Sequence, residues 1–513
     1  MSKKLTSTIA GAFIFITLVN ILSRGLGFFR EMLFANYFGR GVEFDVYLIG
    51  AVIPITVNTV ILYIGQNYFI PAYHKIKADQ PGLTSKFFSI NFFFSIIAGC
   101  AIAILLYIFS DLIISGYIQT DNESIKKIAL GVFRLFLTTI PLNFAISIIT
   151  AFQQAEYKFK YPAVGRLFLN IAVIPALILF NDRFGIYTIP AGFILGTTLQ
   201  LVYLLNKGMH GFSIKSIFPF DRKVMFDLID FTIINIILIE IIGQIYLLSD
   251  RYFFDSVNPG GLSSLNYAFN LFNLPISIVS VALATVIFPK FSEYIHSKSF
   301  AQLHSSVSDS MSFNLLIFVP VTFLFFLYGD SIIKFLFERG KFSGTDTIDT
   351  FFALKAYSVS LIFYSSYTVL NKLLYSAKLV NTLLLITVLG IVIKVILNYI
   401  FVGLWQQNGL ALSTSISFIF FFFATLTVVY KKIPLGKKNI FISEFIFHFS
   451  NGLISFIIVK QISLFSNVTG IYTNIVEVIL FLIIYLVNVL ITGNRSFLLI
   501  IKSLKNMNLL KSA

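Results

Sequence analysis

Two arginines and a glutamate stand where a membrane helix would be expected to carry no charge. The stretch Ile21–Gly39, ILSRGLGFFREMLFANYFG, closes the first long apolar run and holds Arg24, Arg30 and Glu31, with Gly25 and Gly27 between the arginines. Charge at membrane depth is costly, so such side chains face a wet cavity or one another. Two guanidinium groups can grip a phosphate or pyrophosphate through paired hydrogen bonds, which a lysine point charge cannot do. This pattern nominates Arg24 and Arg30 as receptors of an anionic cargo. Arg24 and Glu31 fall on one helix face, about two turns apart. Further charges inside apolar runs are Arg134, Arg166, Asp230, Glu240, Asp250, Arg251, Lys355 and Lys394. Roughly half of such groups should be paired or snorkelling to an interface. Asp230 and Glu240 are candidates for coupling a cation, and Asp250–Arg251 is expected at a membrane end.

These residues need membrane helices to position them. Of the 513 residues, 57% are hydrophobic and 12% charged, about half the charged share of a soluble domain. The sequence predicts an all-α polytopic membrane protein. Fourteen spans are expected, near residues 8–37, 46–72, 86–110, 128–152, 161–181, 185–206, 225–254, 262–289, 311–337, 351–375, 379–403, 409–430, 441–464 and 470–492, each with the roughly 20 apolar residues that one crossing needs. With the N-terminus inside, most lysines and arginines between spans fall on the cytoplasmic side, among them Lys75, Lys77, Lys158, Lys160, Lys298, Lys431 and Lys432. That satisfies the positive-inside rule and places both termini in the cytoplasm. It also accounts for the formal net charge of +15 without invoking nucleic acid. The one cysteine, Cys100, excludes a disulfide framework. The histidines His74, His210, His296, His304 and His448 are scattered, read as solvated, and form no metal site. No phosphate-binding loop, zinc-protease or serine-hydrolase motif occurs in a fitting context, so no enzyme is expected.

The chain partly repeats itself. Arg30 aligns with Arg251, Gly39 with Gly260, Asp45 with Asn266 and Pro54 with Pro275, and FDVYLIGAVIPI overlays LNYAFNLFNLPI. A duplication of six spans gives an N-terminal lobe (residues 1–206), a cytoplasmic linker (207–224) and a C-terminal lobe (225–432). Two additional spans and a basic tail follow (433–513). Transporters with such parallel repeats bind near the midplane and rock one half against the other. Pro54, Pro141, Pro275 and Pro320 are expected inside spans, where each can kink its helix. The many phenylalanines are expected on a lipid-facing surface.

The stretches SRGLGFFRE and FANYFGRGVEFDVYLIGAVIP, with FIPAYHKI, LSDRYF, LPISIVSVALATVIFPKFSEY and FERGKFSGTDT, resemble the MurJ lipid II flippase family in order over about residues 8–430. The resemblance implies a bacterial inner-membrane flippase of the wider multidrug and oligosaccharide-lipid exporter superfamily. Such a protein would move an undecaprenyl-pyrophosphate-linked envelope precursor, lipid II, from the inner to the outer leaflet by alternating access. It places family positions on Arg24, Arg30 and Asp45; in a flippase Arg24 and Arg30 would bind the pyrophosphate, and Arg251, the repeat partner of Arg30, is expected at the rim. The family's usual arginine in the second helix is missing from Ile55–Ile70, and Asn270 stands where the eighth helix usually carries another. SAKLVNTLL (Ser376–Leu384) replaces a further family turn. A flippase for an O-antigen, capsule or exopolysaccharide unit is the alternative. A cation antiporter would need an acidic cavity. The implied partners are the lipid-linked glycan, membrane lipids and envelope-synthesis enzymes, for a monomer without a cofactor, driven by membrane potential or a Na+ or H+ gradient.

Overall fold

The computed structural model describes residues 9–120, 122–208, 231–435, 440–465 and 471–492. The expected linker beyond Gly208, Asp230 and the basic tail from residue 493 lie outside the described residues. The described residues form an all-α polytopic membrane protein, and each expected span falls on helix wherever it is described.

The chain divides into two compact units. Unit 1 is Met1–Ser263 with Arg339–Ser343, and unit 2 is Ser264–Glu338 with Gly344–Ala513. Unit 1 is built from α1 (Ile9–Phe38), α2 (Val42–Ile64), α3 (Ile70–Asp79), α4 (Thr84–Ile108), α5 (Ser110–Tyr117), α6 (Glu123–Leu137), α7 (Thr139–Ala155), α8 (Lys160–Gly165), α9 (Leu167–Phe184), α10 (Thr188–Gly208) and α11 (Phe231–Arg251). The segment Lys160–Lys207 is 48 residues long with hydropathy 2.1, more than twice what one crossing needs. It folds back at Gly185, whose φ of +51° is a left-handed conformation that glycine adopts without a Cβ penalty.

The core of unit 1 is aromatic. Phe69, Phe87 and Phe88 are fully buried, with ring centroids 5.0 Å apart between Phe69 and Phe87. Phenylalanines take both settings: these three are in the core, while Phe109, Phe184 and Phe335 are exposed, as a lipid-facing surface would have them. In an interior already stripped of water, aromatic bodies supply shape and dispersion contacts rather than a hydrophobic gain. Between α2 and α3 the chain makes a π turn, Gly65–Phe69. The Ser147 hydroxyl donates to the Ile61 carbonyl at 2.7 Å and fills the space where a Cβ on residue 65 would stand. A π turn disturbs the regular ladder, and a buried carbonyl needs a donor. Pro54 lies inside α2 as expected. Pro141 lies in the first turn of α7, three residues after Thr138, where the membrane-length run Glu123–Ala155 breaks into α6 and α7 as expected of a kinking proline.

Unit 2 takes in most of α12 (Gly261–Pro275), then α13 (Val281–His296), α14 (Phe300–Phe337), α15 (Gly344–Ser358), α16 (Leu361–Ser376), α17 (Val380–Lys432), α18 (Ile440–Phe465) and α19 (Ile471–Ile491). The continuous run Val380–Lys432 hides two spans, because Gln406 breaks the helix with φ 49°. Buried hydroxyls and amides join the helices. Asn314 donates to Ser365 and Ser366, and the ring of Tyr364 stacks on Phe418 at 3.8 Å. The last two helices are tied to α14. The buried Glu477 accepts from Tyr328 at 2.7 Å and from Lys460 at 2.8 Å, and Asn474 donates to Ser331. His448, read as solvated although it falls in the expected span 441–464, is fully buried on α18 with Nδ1 2.8 Å from the Tyr485 hydroxyl. Its partner tyrosine lies on the next helix, 37 residues away, where no local pattern reveals it.

At one end of unit 1, Glu156 accepts from Lys77 at 2.6 Å and from Tyr73 at 2.8 Å. The Lys77 hydrogen bond holds the Glu156 carboxyl below its ordinary range, against an opposing effect of burial. A depressed folded-state value means that this link stabilises fully above the unfolded carboxyl value of about 4.3, and is lost as pH falls through the lowered one. The stabilisation is modest, about 0.5–1 kcal/mol, because the lysine is half-exposed. Acid thermal unfolding checks it. Glu156→Gln should be less stable than the parent at neutral pH and converge with it at the acid end.

Candidate functional site

The long first helix carries the charged residues that the sequence singled out, and its packing decides what each can do. α1 leans on α8 and α9, and Asn170 of α9 makes the join. The Asn170 amide donates to the Ser23 carbonyl at 3.1 Å, and its Oδ1 accepts from Arg30 Nη1 at 3.1 Å. Gly27 lies against the same side chain: a Cβ there would stand 3.8 Å from Asn170, an ordinary contact.

Arg30 is engaged within unit 1. Nη2 pairs with Glu31 at 2.9 Å, and the guanidinium lies over the rings of Phe34 and Phe193, 5.5 and 5.1 Å from their centroids. Only Nε lacks an acceptor among the described residues. A guanidinium stacked and hydrogen-bonded in this way is fixed in place. Glu31 thus serves its neighbour rather than Arg24, one helix turn and more away.

Arg24 is different. No hydrogen bond or ion pair forms at its side chain among the described residues, and Nη1 is buried without a partner. Its charged neighbour is another cation, Arg166, close enough for the two to repel. Arg166 occupies the junction of α8 and α9, capping the first and leading the second, with an exposed side chain. The sequence marked it as a charge at membrane depth but gave it no site role.

The other nominated residues lie elsewhere. Asp45, near the start of α2, is fully buried and accepts three donors: the backbone N–H of Gly260 at 2.8 Å, the N–H of Ser263 at 2.6 Å and the Ser263 hydroxyl. A carboxylate at a helix N-terminus satisfies donors that the helix leaves open. Asp45 therefore fastens the first turn of α12. Arg251 is the last residue of α11; it is 8% exposed, and its Nη1 donates across the loop to the Leu262 carbonyl of α12 at 3.4 Å. Gly260 completes the junction with φ +80°, where a Cβ would collide with the Arg40 carbonyl. Glu240 is half-buried on α11 and accepts from Gln244 at 2.9 Å. Asn270 is half-buried on α12, in unit 2. Among the remaining charges, Arg134 pairs with Asp111 at 2.8 Å, Lys355 lies over Phe351, and Lys394 donates to Thr414 at 3.0 Å, fully buried.

This combination of paired interior charges and membrane-length helices defines a multi-pass, all-α membrane protein. A family profile described as "Lipid II flippase MurJ" matches residues 34–487. The chain belongs to that family. "Probable lipid II flippase MurJ" of Borreliella burgdorferi is 28% identical over 427 residues, which cover 82% of each chain. "Lipid II flippase MurJ" of Thermosipho africanus is 26% identical over 413 residues, 79% of this chain and 82% of that one. A solved lipid II flippase MurJ in an inward closed conformation superposes with TM-score 0.77 at 25% identity, over 93% of this chain and 98% of its own. An inward-facing multidrug resistance MATE family transporter reaches TM-score 0.68 at 13% identity, over 82% of this chain and 99% of its own, a likeness of fold alone.

The two first-helix arginines should therefore separate on replacement. Arg30→Ala removes the Glu31 ion pair, the Asn170 hydrogen bond and the stacking on Phe34 and Phe193, and should cost about 1–3 kcal/mol of stability. Arg24→Ala removes no formed bond and relieves a like-charge repulsion, so its melting temperature in detergent should equal or slightly exceed the parent's. Thermal melts of the two variants side by side make the comparison. The junction gives a second measurement: Gly260→Ala should cost about 1–3 kcal/mol, from a strained φ with no space beside it.

Proposed function

We infer that this protein is a lipid II flippase. It carries the undecaprenyl-pyrophosphate-linked precursor of peptidoglycan from the inner to the outer leaflet of the bacterial inner membrane, by alternating access of two lobes, with both termini cytoplasmic. Family membership over residues 34–487 supports the cargo class, and Arg24 is the observation that carries the site: a cation at membrane depth whose buried Nη1 has no partner among the described residues. An unpaired guanidinium there is a debt that an anionic ligand settles, and paired N–H donors suit phosphate oxygens.

The protein works as a transporter and not as an enzyme. Its proposed drive is the membrane potential or an ion gradient, with one charge crossing the field worth about 2.3 kcal/mol per 100 mV. Glu240, which among the described residues accepts only from the neutral Gln244 on α11, is the proposed candidate for ion coupling. Membrane lipids surround it, envelope-synthesis enzymes are its proposed associates, and the working unit is a monomer.

The test is complementation in a bacterium depleted of its own flippase, with leaflet-specific labelling of lipid II. The chain should restore outer-leaflet lipid II, and Arg24→Ala, expressed at the same level, should abolish that restoration. Failure of the unaltered chain to restore labelling would sink the reading.

A further inference from the structure

Among the described residues, two intramembrane cations of unit 1 have no acceptor for their guanidinium groups, and they are neighbours: Arg24 and Arg166. Arg30, Arg134 and Arg251 each have a carboxylate or carbonyl partner within unit 1. Placing two like charges together is unfavourable, and a fold that needed only helix packing would gain by neutralising one of them. The pairing is held firmly. The Asn170 amide fixes α9 to the Ser23 carbonyl, one residue before Arg24. Arg166 lies one turn before Asn170, so it projects from the same side of α9. Tight packing backs this end of α9: Gly196 meets the Leu169 backbone with a Cβ distance of 2.8 Å.

We propose that Arg166 supplies the second guanidinium of the anion site headed by Arg24, and that the pair grips the pyrophosphate of the lipid-linked cargo. The proposal rests on the flippase reading. It explains how the site reaches two cations although Asn270 and Ile55–Ile70 carry no arginine and Arg30 is tied to Glu31 and Asn170. Two forks facing one diphosphate can each place paired donors on a different phosphoryl group, whereas a single-phosphate headgroup engages one. The same geometry makes the site selective for a doubly charged ligand, whose binding cancels the repulsion between the arginines.

The experiment uses the purified full-length protein in detergent, with lipid II, undecaprenyl pyrophosphate and phosphatidylglycerol as probes, and reads affinity and melting temperature together. Arg166→Gln should bind both pyrophosphate lipids about ten- to a hundredfold more weakly, the loss of charge-assisted hydrogen bonds to one group. Its ligand-free melting temperature should equal or exceed the parent's, because a repulsion has been removed. Arg166→Lys, which keeps the charge but not the fork, should fall between. The double variant Arg24→Gln, Arg166→Gln should lose less than the product of the single losses, since both grip one ligand.

Parent-like binding of the pyrophosphate lipids by Arg166→Gln would overturn the proposal. So would a ligand-free melting temperature that drops with the affinity, which would make Arg166 a packing residue. An equal loss toward phosphatidylglycerol would reassign the anion to a phospholipid headgroup and overturn the cargo assignment. Loss in Arg24→Gln with none in Arg166→Gln would remove Arg166 alone and leave the flippase reading standing. A parent protein that binds neither pyrophosphate lipid would remove both.

Discussion

A charge or an open backbone group inside hydrocarbon has no water to fall back on, and every such group must find its partner within the protein. Most of the polar architecture follows from that constraint. Ser147 answers the Ile61 carbonyl beside the π turn, Glu477 gathers Tyr328 and Lys460, His448 meets Tyr485, and Lys394 is sealed against Thr414. These links do more than satisfy individual atoms. Lipid tails are as apolar as the helix faces they compete with, so association between helices depends on close packing and cross-helix hydrogen bonds. The same bonds that remove the penalty also specify which helix sits beside which.

Seen in this way, function sits where the accounting is incomplete. Arg30 and Arg24 have the same chemistry and share a helix, yet the structure gives them opposite circumstances. Asn170 separates them: by bonding both the Ser23 carbonyl and Arg30, it sets the register of α1 on α9, consigning one arginine to structure and leaving the other beside Arg166. Asp45 follows the structural pattern. Its carboxylate is fully occupied by the backbone and hydroxyl of the segment it secures.

The spans were readable from sequence because membrane helices announce themselves through length and apolarity, and the break at Gln406 fell between two expected spans. The role of each charge was not readable to the same degree. Arg24 stood out through its residue type and depth alone. The engagement of Arg30 depends on Asn170, 140 residues away, and no local pattern connects the two. Arg166 begins a helix, where a lone arginine usually reads as an interfacial anchor, so its place beside Arg24 emerges only from the packing. The repeat did align Arg30 with Arg251, and both prove to be guanidiniums held within unit 1, Arg251 buried and Arg30 partly so.

The Asp45 junction also bears on how the chain is made. Its partners Gly260 and Ser263 lie 215 and 218 residues downstream. At a synthesis rate of about 5–20 residues per second, the carboxylate is in place on the order of ten to forty seconds before anything exists to receive it. During that interval α1 and α2 must hold an acid whose backbone donors are still inside the ribosome. The first helical pair is therefore born unfinished, and it is completed by Gly260 and Ser263 at the far end of unit 1's main run, so correct insertion of the early helices is confirmed only when that segment arrives.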